Sequence, residues 1–273
     1  MSSPVQSVDV VRVAGGVGGP VRDVAASEEP LEIRLHGAPF VVTMRTPGAD
    51  RELVAGFLLS ERIIREADDL GTIRHCADEG SAGEGNVLNV TLTGEASGRA
   101  ERELARRRLV TTSSACGVCG RQTVDDLMQD VPHLDVSWSM RSEVIATLPA
   151  RLRHAQAVFS ETGGLHAAGL FDPDGTLVAV AEDVGRHNAV DKVIGSQLLR
   201  DHFPLGDRLL FVSGRTSFEI VQKAVVAGIQ LIAAVSAPSS LAIDLARSAN
   251  ATLLGFVRGD TFNIYTGAER ISL

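Results

Sequence analysis

Two thiols stand two residues apart, Cys116 and Cys119, in Ser114-Ala115-Cys116-Gly117-Val118-Cys119-Gly120, and the only other cysteine of the chain is Cys76. A thiol attacks as its thiolate, so this pair suits three kinds of chemistry: relay of sulfur as a persulfide, a dithiol–disulfide couple, or half of a metal site. A structural zinc site takes four Cys or His ligands. Here one CxxC pair has no second pair to match it, and only Cys76 with His75 would remain to complete a set, so no metal site is expected. A thioredoxin-like disulfide belongs between a strand and a helix early in a small βαβ fold. A flexible loop with incidental cysteines is the bland alternative. The run Arg106-Arg107-Arg108 lies just upstream, and helical patterning through Val124, Leu127 and Met128 begins just downstream. Cations and a helix N-terminus both lower a thiol pKa from about 8.5, although an arginine run also serves as a plain solvated face.

Other segments combine small residues with charge at the ends of apolar runs. In Phe211-Val212-Ser213-Gly214-Arg215-Thr216-Ser217-Phe218-Glu219 a buried strand enters a small-residue turn and then a helix. Backbone N–H groups at such a turn cradle anions, and Arg215 adds a bidentate donor. Helix capping by Thr216 or Ser217, with Arg215 solvated, is the alternative. Val235-Ser236-Ala237-Pro238-Ser239-Ser240-Leu241 repeats the plan, and two such crevices at the strand ends of one sheet suit an extended phosphate-bearing ligand. Neither a GxGxxG nor a GxxxxGK[ST] spacing occurs. Gly163-Gly164-Leu165-His166 and Glu182-Asp183-Val184-Gly185-Arg186-His187, continuing to Asp191 and Lys192, flank the turn signal Asp172-Pro173-Asp174-Gly175. They make a ligand-facing acid–base cluster, or else a helix start capped by Asp183 with Asp191 and Lys192 solvated; a lone His166 is more commonly a satisfied core residue. The segment from Gly255 to Tyr265 has the pattern of a strand–turn–strand. In it Arg258, Asp260 and Asn263 could read a purine edge while Phe256 or Phe262 stacks on it, or it is simply an edge hairpin with a Gly259-Asp260 turn.

These groups need a scaffold. Leu31–Leu35 and Phe40–Met44 alternate around a His36–Pro39 turn and predict a hairpin. Asp50 is placed to cap a helix carrying Leu53, Val54, Phe57 and Leu58 on one face. Val87–Thr93 predicts a strand, and residues 78–86 a loop. From about residue 155, apolar runs alternate with amphipathic ones: Leu177–Ala181 then Ala189–Leu199, Leu209–Val212 then Phe218–Ala227, Leu231–Val235 then Leu241–Ala249, and finally Leu253–Val257. That order predicts an α/β layer with helices on the sheet faces. Residues 1–30, broken by Gly15-Gly16 and Gly18-Gly19-Pro20, read as weakly ordered. The division that follows is a weakly ordered segment 1–30, an N-terminal lobe 31–110 (hairpin, helix, strand), a mobile CxxC loop 111–123 and an α/β domain 124–273.

The 273 residues, 44% hydrophobic, suffice for a substantial core, and a net charge of −8 argues against a general nucleic-acid surface. Three cysteines cannot form a disulfide framework, no apolar run reaches membrane-spanning length, and the N-terminus lacks a basic stretch followed by an apolar core. A soluble cytoplasmic protein without membrane or nucleic-acid partners is expected.

Taken together, Cys116–Gly120, Thr162–Ala168, Glu182–Lys192, Ser213–Glu219, Ser236–Ala242 and Gly255–Thr266 resemble, in order, the motifs of the formate dehydrogenase accessory sulfurtransferases, the FdhD family. The resemblance covers most of the chain beyond its first thirty residues. It implies a cytidine deaminase-like α/β/α sandwich with a mixed sheet, plus a smaller N-terminal β-hairpin and helix lobe, in a homodimer. It implies that a cysteine desulfurase supplies persulfide sulfur, which passes to the molybdenum (or tungsten) bis-molybdopterin guanine dinucleotide cofactor required by formate dehydrogenase. Cys116 matches the persulfide-bearing position and Cys119 its partner. The cofactor-binding segment matches Phe256, Val257, Arg258, Gly259, Asp260, Thr261, Phe262 and Asn263, to which the strand-end residues Gly164, His166, His187, Ser213, Gly214, Arg215 and Ser236 are added from their own pattern. A cofactor-holding chaperone with no covalent step is the competing function. Deaminase chemistry itself is excluded, since no H-x-E occurs and no Pro precedes the CxxC pair.

Overall fold

The computed structural model describes residues 3–76, 85–108, 132–135 and 138–273. The CxxC loop and the helical pattern after it lie outside the described residues.

Residues 1–30 do not match the expectation of weak order. Strand β1 (Val5–Ala14) pairs antiparallel with β2 (Val17–Ala26) over ten consecutive positions. The glycines that looked like breakers are the turn: Gly15 and Gly16 both have positive φ, 58° and 81°, as a two-residue hairpin requires. Strands β3 (Glu29–Leu35) and β4 (Ala38–Arg45) form the expected hairpin, joined by β5 (Leu70–His75) and β6 (Val87–Leu92) in the order β4-β3-β6-β5. Helix α1 (Asp50–Ser60) follows β4, with Ala49 rather than Asp50 at its N-cap. The Asp50 carboxylate instead takes both Nε and Nη2 of the buried Arg45 at 3.0 Å. The arginine-rich stretch belongs to helix α2 (Gly94–Arg108), where Arg99 reaches Asp69 at 2.7 Å.

The second half is built on a six-stranded mixed sheet. Its strands are β8 (His166–Phe171), β9 (Leu177–Asp183), β10 (Leu209–Val212), β11 (Leu231–Ala234), β12 (Thr252–Arg258) and β13 (Thr261–Thr266), in the order β13-β12-β11-β10-β8-β9. β10, β11 and β12 run parallel, and β8 runs antiparallel to β10. A short bridge of β7 (Met140–Arg141) with β14 (Ile271–Ser272) lies apart. The central strands are buried on both faces and read as continuous apolar runs. With period two, Leu210, Val212, Ile232 and Ala234 face one core; Leu209, Phe211, Leu231 and Ala233 face the other. The second core is closed by α3 (Ser142–Ala155), which the short α4 (Ala157–Thr162) follows, through Ile145, Leu148 and Leu152. The first is closed by α1, α5 (Arg186–Leu198), α6 (Phe218–Val226) and α7 (Ser240–Ser248), giving three layers, α/β/α.

The N-terminal lobe shares its core with the second half. Leu31, Ile33, Leu88 and Val90 belong to the same buried cluster as α5 and α6. Helices α1 and α5 pack backbone against backbone: a Cβ on Gly56 would collide with the Asp191 carbonyl, and one on Gly195 with that of Glu52. The two lobes are therefore locked at that seam.

Candidate functional site

Sheet direction assembles the site. Because β8 is antiparallel to β10, the start of β8 and the end of β10 meet: Ser213 N donates to the Ala167 carbonyl at 3.0 Å, and Ala167 N donates to Ser213 Oγ at 2.9 Å. β9 ends beside them, with Asp183 opposite His166. The turn after β10 continues into the turn after β11, where Thr216 N donates to the Ala237 carbonyl at 3.2 Å and Ser239 N to that of Thr216 at 3.0 Å. Phe256 N then donates to the Ser236 carbonyl at 3.2 Å. One row thus runs from His166 through Ser213, Gly214 and Arg215 to Ser236 and Phe256, with the N-termini of α5, α6 and α7 behind it, an arrangement suited to an extended anion.

Within the row, His166 Nδ1 lies 3.3 Å from where a Cβ on Gly214 would sit, so any side chain at 214 would press on the imidazole. Burial, then the charges of Arg186, His187 and Arg215, hold the His166 pKa below its ordinary value, while Asp183 pulls the other way. At neutral pH the imidazole is uncharged between two guanidiniums. Arg186 Nε is buried and has no hydrogen-bond partner among the described residues. A buried donor left open in this way suits an acceptor brought by a ligand. His187 Nε2 lies 3.0 Å from Ser217 Oγ and 2.8 Å from Glu219 Oε2. The sequence had offered Ser217 as a cap for α6; its hydroxyl instead meets His187, and no side-chain cap is made.

At the far end Phe256 has φ 54°, in the left-handed region, which an aromatic residue rarely adopts. A register shift between Gly255 and Arg258 accompanies it, leaving the ring 37% exposed. The Arg258 guanidinium lies 5.8 Å from the ring centroid, and Gly259, Asp260, Thr261 and Asn263 are exposed around it. A strained, exposed aromatic beside a cation makes a stacking platform for a planar ring. Two residues of this segment face inward. Val257 is fully buried in the second core, and Phe262 packs on that core. The Val257 side chain therefore serves packing, because the bulge turns it toward α3 while Phe256 turns out. Gly164 sits apart from the row, beside Ala26, whose Cβ is 3.6 Å from where a Gly164 Cβ would be.

Asp183, Asp191 and Lys192 are not solvated but buried. Lys192 Nζ pairs with Asp183 Oδ2 at 2.7 Å and donates to the Thr46 carbonyl at 2.8 Å; all three groups are buried. Lys223 Nζ contacts both Asp191 oxygens at 2.8 Å, and Ser60 Oγ bonds Oδ1 at 2.9 Å. Burial pushes the Asp191 carboxyl upward against the pull of Lys223. Beside this pair lies a cavity of about 280 Å³, bounded by Met44, Phe57, His187, Glu219 and Gln222. The sequence offered no sign of it, since its walls come from β4, α1, α5 and α6, far apart along the chain. Glu219 as the partner of His187 also went unread; its place in the first turn of α6 beside Ser217 was the available hint.

A three-layer α/β protein with open donors and helix N-termini along one strand edge, and with paired thiols elsewhere in its sequence, defines a class suited to handling sulfur. Comparison with known proteins agrees. The FdhD/NarQ family model matches residues 26–272, and the chain belongs to that family. It is 52% identical over 254 residues to the sulfur carrier protein FdhD of Nocardia farcinica, covering 92% of this chain and 88% of that one. It is 48% identical over 271 residues to the sulfur carrier protein FdhD of Streptomyces coelicolor, covering 97% and 94%. The crystal structure of a protein from Desulfotalea psychrophila described as a formate dehydrogenase accessory protein superposes with a TM-score of 0.76 at 24% identity, over 99% of this chain and 100% of that one.

Proposed function

We propose that the chain is a sulfur carrier and sulfurtransferase that accepts persulfide sulfur from a cysteine desulfurase and delivers it to the molybdenum (or tungsten) bis-molybdopterin guanine dinucleotide cofactor for formate dehydrogenase, in the cytoplasm. The relatives at about half identity, all sulfur carriers by name, support the coarse role. The observation that carries the finer one is the strand-end row. Its open Arg186 donor and the Gly214 cradle suit phosphate oxygens, and the exposed Phe256 with Arg258 suits a guanine face. The dinucleotide is the substrate, held by these side chains while sulfur is exchanged.

The chemistry assigned to the thiols balances as follows. The Cys116 thiolate attacks the outer sulfur of the donor's cysteine persulfide; that S–S bond breaks, the donor cysteine leaves as thiolate, and a new S–S bond forms on Cys116. Attack of Cys119 on the inner sulfur of Cys116 then closes a disulfide and expels the outer sulfur as sulfide, the oxidation state a metal takes as a ligand. A thiol reductant resets the pair.

Incubation with a cysteine desulfurase and cysteine, followed by mass spectrometry, tests the covalent step. An adduct of about 32 daltons on Cys116, absent in Cys116→Ala, is expected of a reactive thiolate, together with loss of formate dehydrogenase activity in cells carrying only Cys116→Ala. Full dehydrogenase activity in that variant, without any adduct on the parent, would leave the cofactor chaperone as the function.

A further inference from the structure

The segment that carries Arg186 and His187 is held from the other lobe. Val184 and Gly185 link β9 to α5, and Gly185, at the N-cap of α5, brings no side-chain cap. What meets this link is Thr46, buried in the turn between β4 and α1. Every polar atom of Thr46 is engaged there, with residues 137 to 146 positions further along the chain. Thr46 N donates to Asp183 Oδ2 at 3.2 Å, Val184 N donates to Thr46 Oγ1 at 3.1 Å, and Lys192 Nζ donates to the Thr46 carbonyl at 2.8 Å. Beside it the Met44 carbonyl accepts from Asn188 Nδ2 at 2.7 Å. Within the segment, Asp183 Oδ1 accepts from Gly185 N at 2.8 Å and from Asn188 Nδ2 at 3.0 Å. The seam at Gly56 and Gly195 lies against later turns of α5; the Thr46 bonds act at its start. A backbone N–H and carbonyl stand at position 46 whatever the side chain. The hydroxyl is the one contact that depends on threonine, and it grips the chain two residues before Arg186.

We propose that Thr46 is a positioning residue of the strand-end row, its hydroxyl fixing the Val184–Gly185 link so that Arg186 and His187 stand at the sheet edge where an anion meets them. The inference rests on the anion-binding reading of that row and adds to it a residue of the N-terminal lobe. Position counts most for Arg186. Its Nε is buried without a hydrogen-bond partner among the described residues, so the backbone it hangs from sets its aim. A hydrogen bond weakens steeply as its donor turns off line, so a small rotation of the link is felt at the anion. Side-chain chemistry separates this role from mere filling of space. Serine at position 46 keeps an oxygen that accepts from Val184 N; valine keeps the shape and loses the acceptor.

Thr46→Val and Thr46→Ser, compared with the parent, test it by calorimetric titration with pyrophosphate and by NMR titration of the His166 ring without ligand. Burial first, and then the charges of Arg186, His187 and Arg215, hold the His166 pKa below its ordinary value, with Asp183 opposing, so the ring reports movement of the link. Thr46→Val should bind pyrophosphate about tenfold more weakly, the worth of one hydrogen bond. Its His166 ring should titrate at higher pH than the parent's, as Arg186 and His187 move off. Thr46→Ser should restore both. A role in stability alone would lower the melting temperature of Thr46→Val and leave both readings at the parent's values in the folded protein, and that result overturns the proposal. So does a Thr46→Ser that binds and titrates as Thr46→Val does. If Thr46→Val does not fold, Asn188→Ala, which cuts the neighbouring bond to Met44, reads the same clamp, and parent-like affinity and titration there overturn it. A parent that binds no pyrophosphate overturns the anion-binding reading instead; the His166 titration needs no ligand and still decides the part played by Thr46.

Discussion

Residues 182–192 contain two neighbouring charge systems with opposite fates. At one end Arg186 and His187 stand on the strand edge with His166, half-buried and facing outward. At the other, Asp191 and Lys192 turn inward and are spent on Lys223, Ser60 and Asp183. One helix does both because its first turn projects from the sheet edge while its later turns lie against α1. The contrast teaches that density of charge in a motif does not mark a site; what marks one is a polar group left without a partner. The inward system should govern stability, the outward one binding.

The sharpest way to break that division is Asp191→Ala, which strands the Lys223 ammonium in the interior. Loss of one partner of a buried pair costs about 3–5 kcal/mol, read as the shift in urea midpoint. An Asp191→Asn/Lys223→Met double variant should recover much of the loss; a double variant as unstable as the single would mean that the charges are not what matters at that seam. Next in size is Gly195→Ala. Its methyl would run into backbone alone, the Glu52 carbonyl and the Gly56 nitrogen, and overpacking of this kind costs about 1–3 kcal/mol. Arg186→Ala should do the reverse: stability within about 0.5 kcal/mol of the parent, but binding of GDP or pyrophosphate weaker by about tenfold to a hundredfold, the worth of a charge-assisted hydrogen bond. Calorimetric titration reads it, and unchanged affinity would remove Arg186 from the site.

Much of the scaffold was legible because buried strands announce themselves. Leu209–Val212 needed no correction at either end, and the helices after β9, β10 and β11 begin within three residues of their expected starts. The strand-end residues were legible for the same reason: a Ser-Gly or Ser-Ala turn after an apolar run can only lie at a sheet edge. What escaped depended on backbone signs and on distant partners. Gly15-Gly16 breaks a helix but makes a hairpin, and only pairing over ten positions decides between them. The positive φ of Phe256 inverts the facing of Val257, which alternation along the segment does not reveal. Asp50 lost its capping role to Arg45, a buried cation whose need for partners is invisible until β4 and α1 are packed.

The smallest expected effect concerns His166 and joins the two systems through pH. Its folded pKa lies below the ordinary 6.5, first because it is buried and then because Arg186, His187 and Arg215 face it, with Asp183 in opposition. Between the folded and unfolded pKa values the unfolded chain binds more protons, so stability falls as pH drops below about 6.5 and this contribution is flat above it. An anion in the row reverses the environment: its charge offsets the guanidiniums, raises the His166 pKa and draws in a proton. Affinity for pyrophosphate should therefore increase modestly as pH falls from 7.5 to 6, with the His166 ring titration followed by NMR moving to higher pH when the ligand binds. His166→Gln should flatten both pH dependences while leaving affinity at pH 7.5 nearly unchanged, since the imidazole is already neutral there. A ring titration that is identical with and without pyrophosphate would place the anion elsewhere and leave His166 a buried residue of the strand edge.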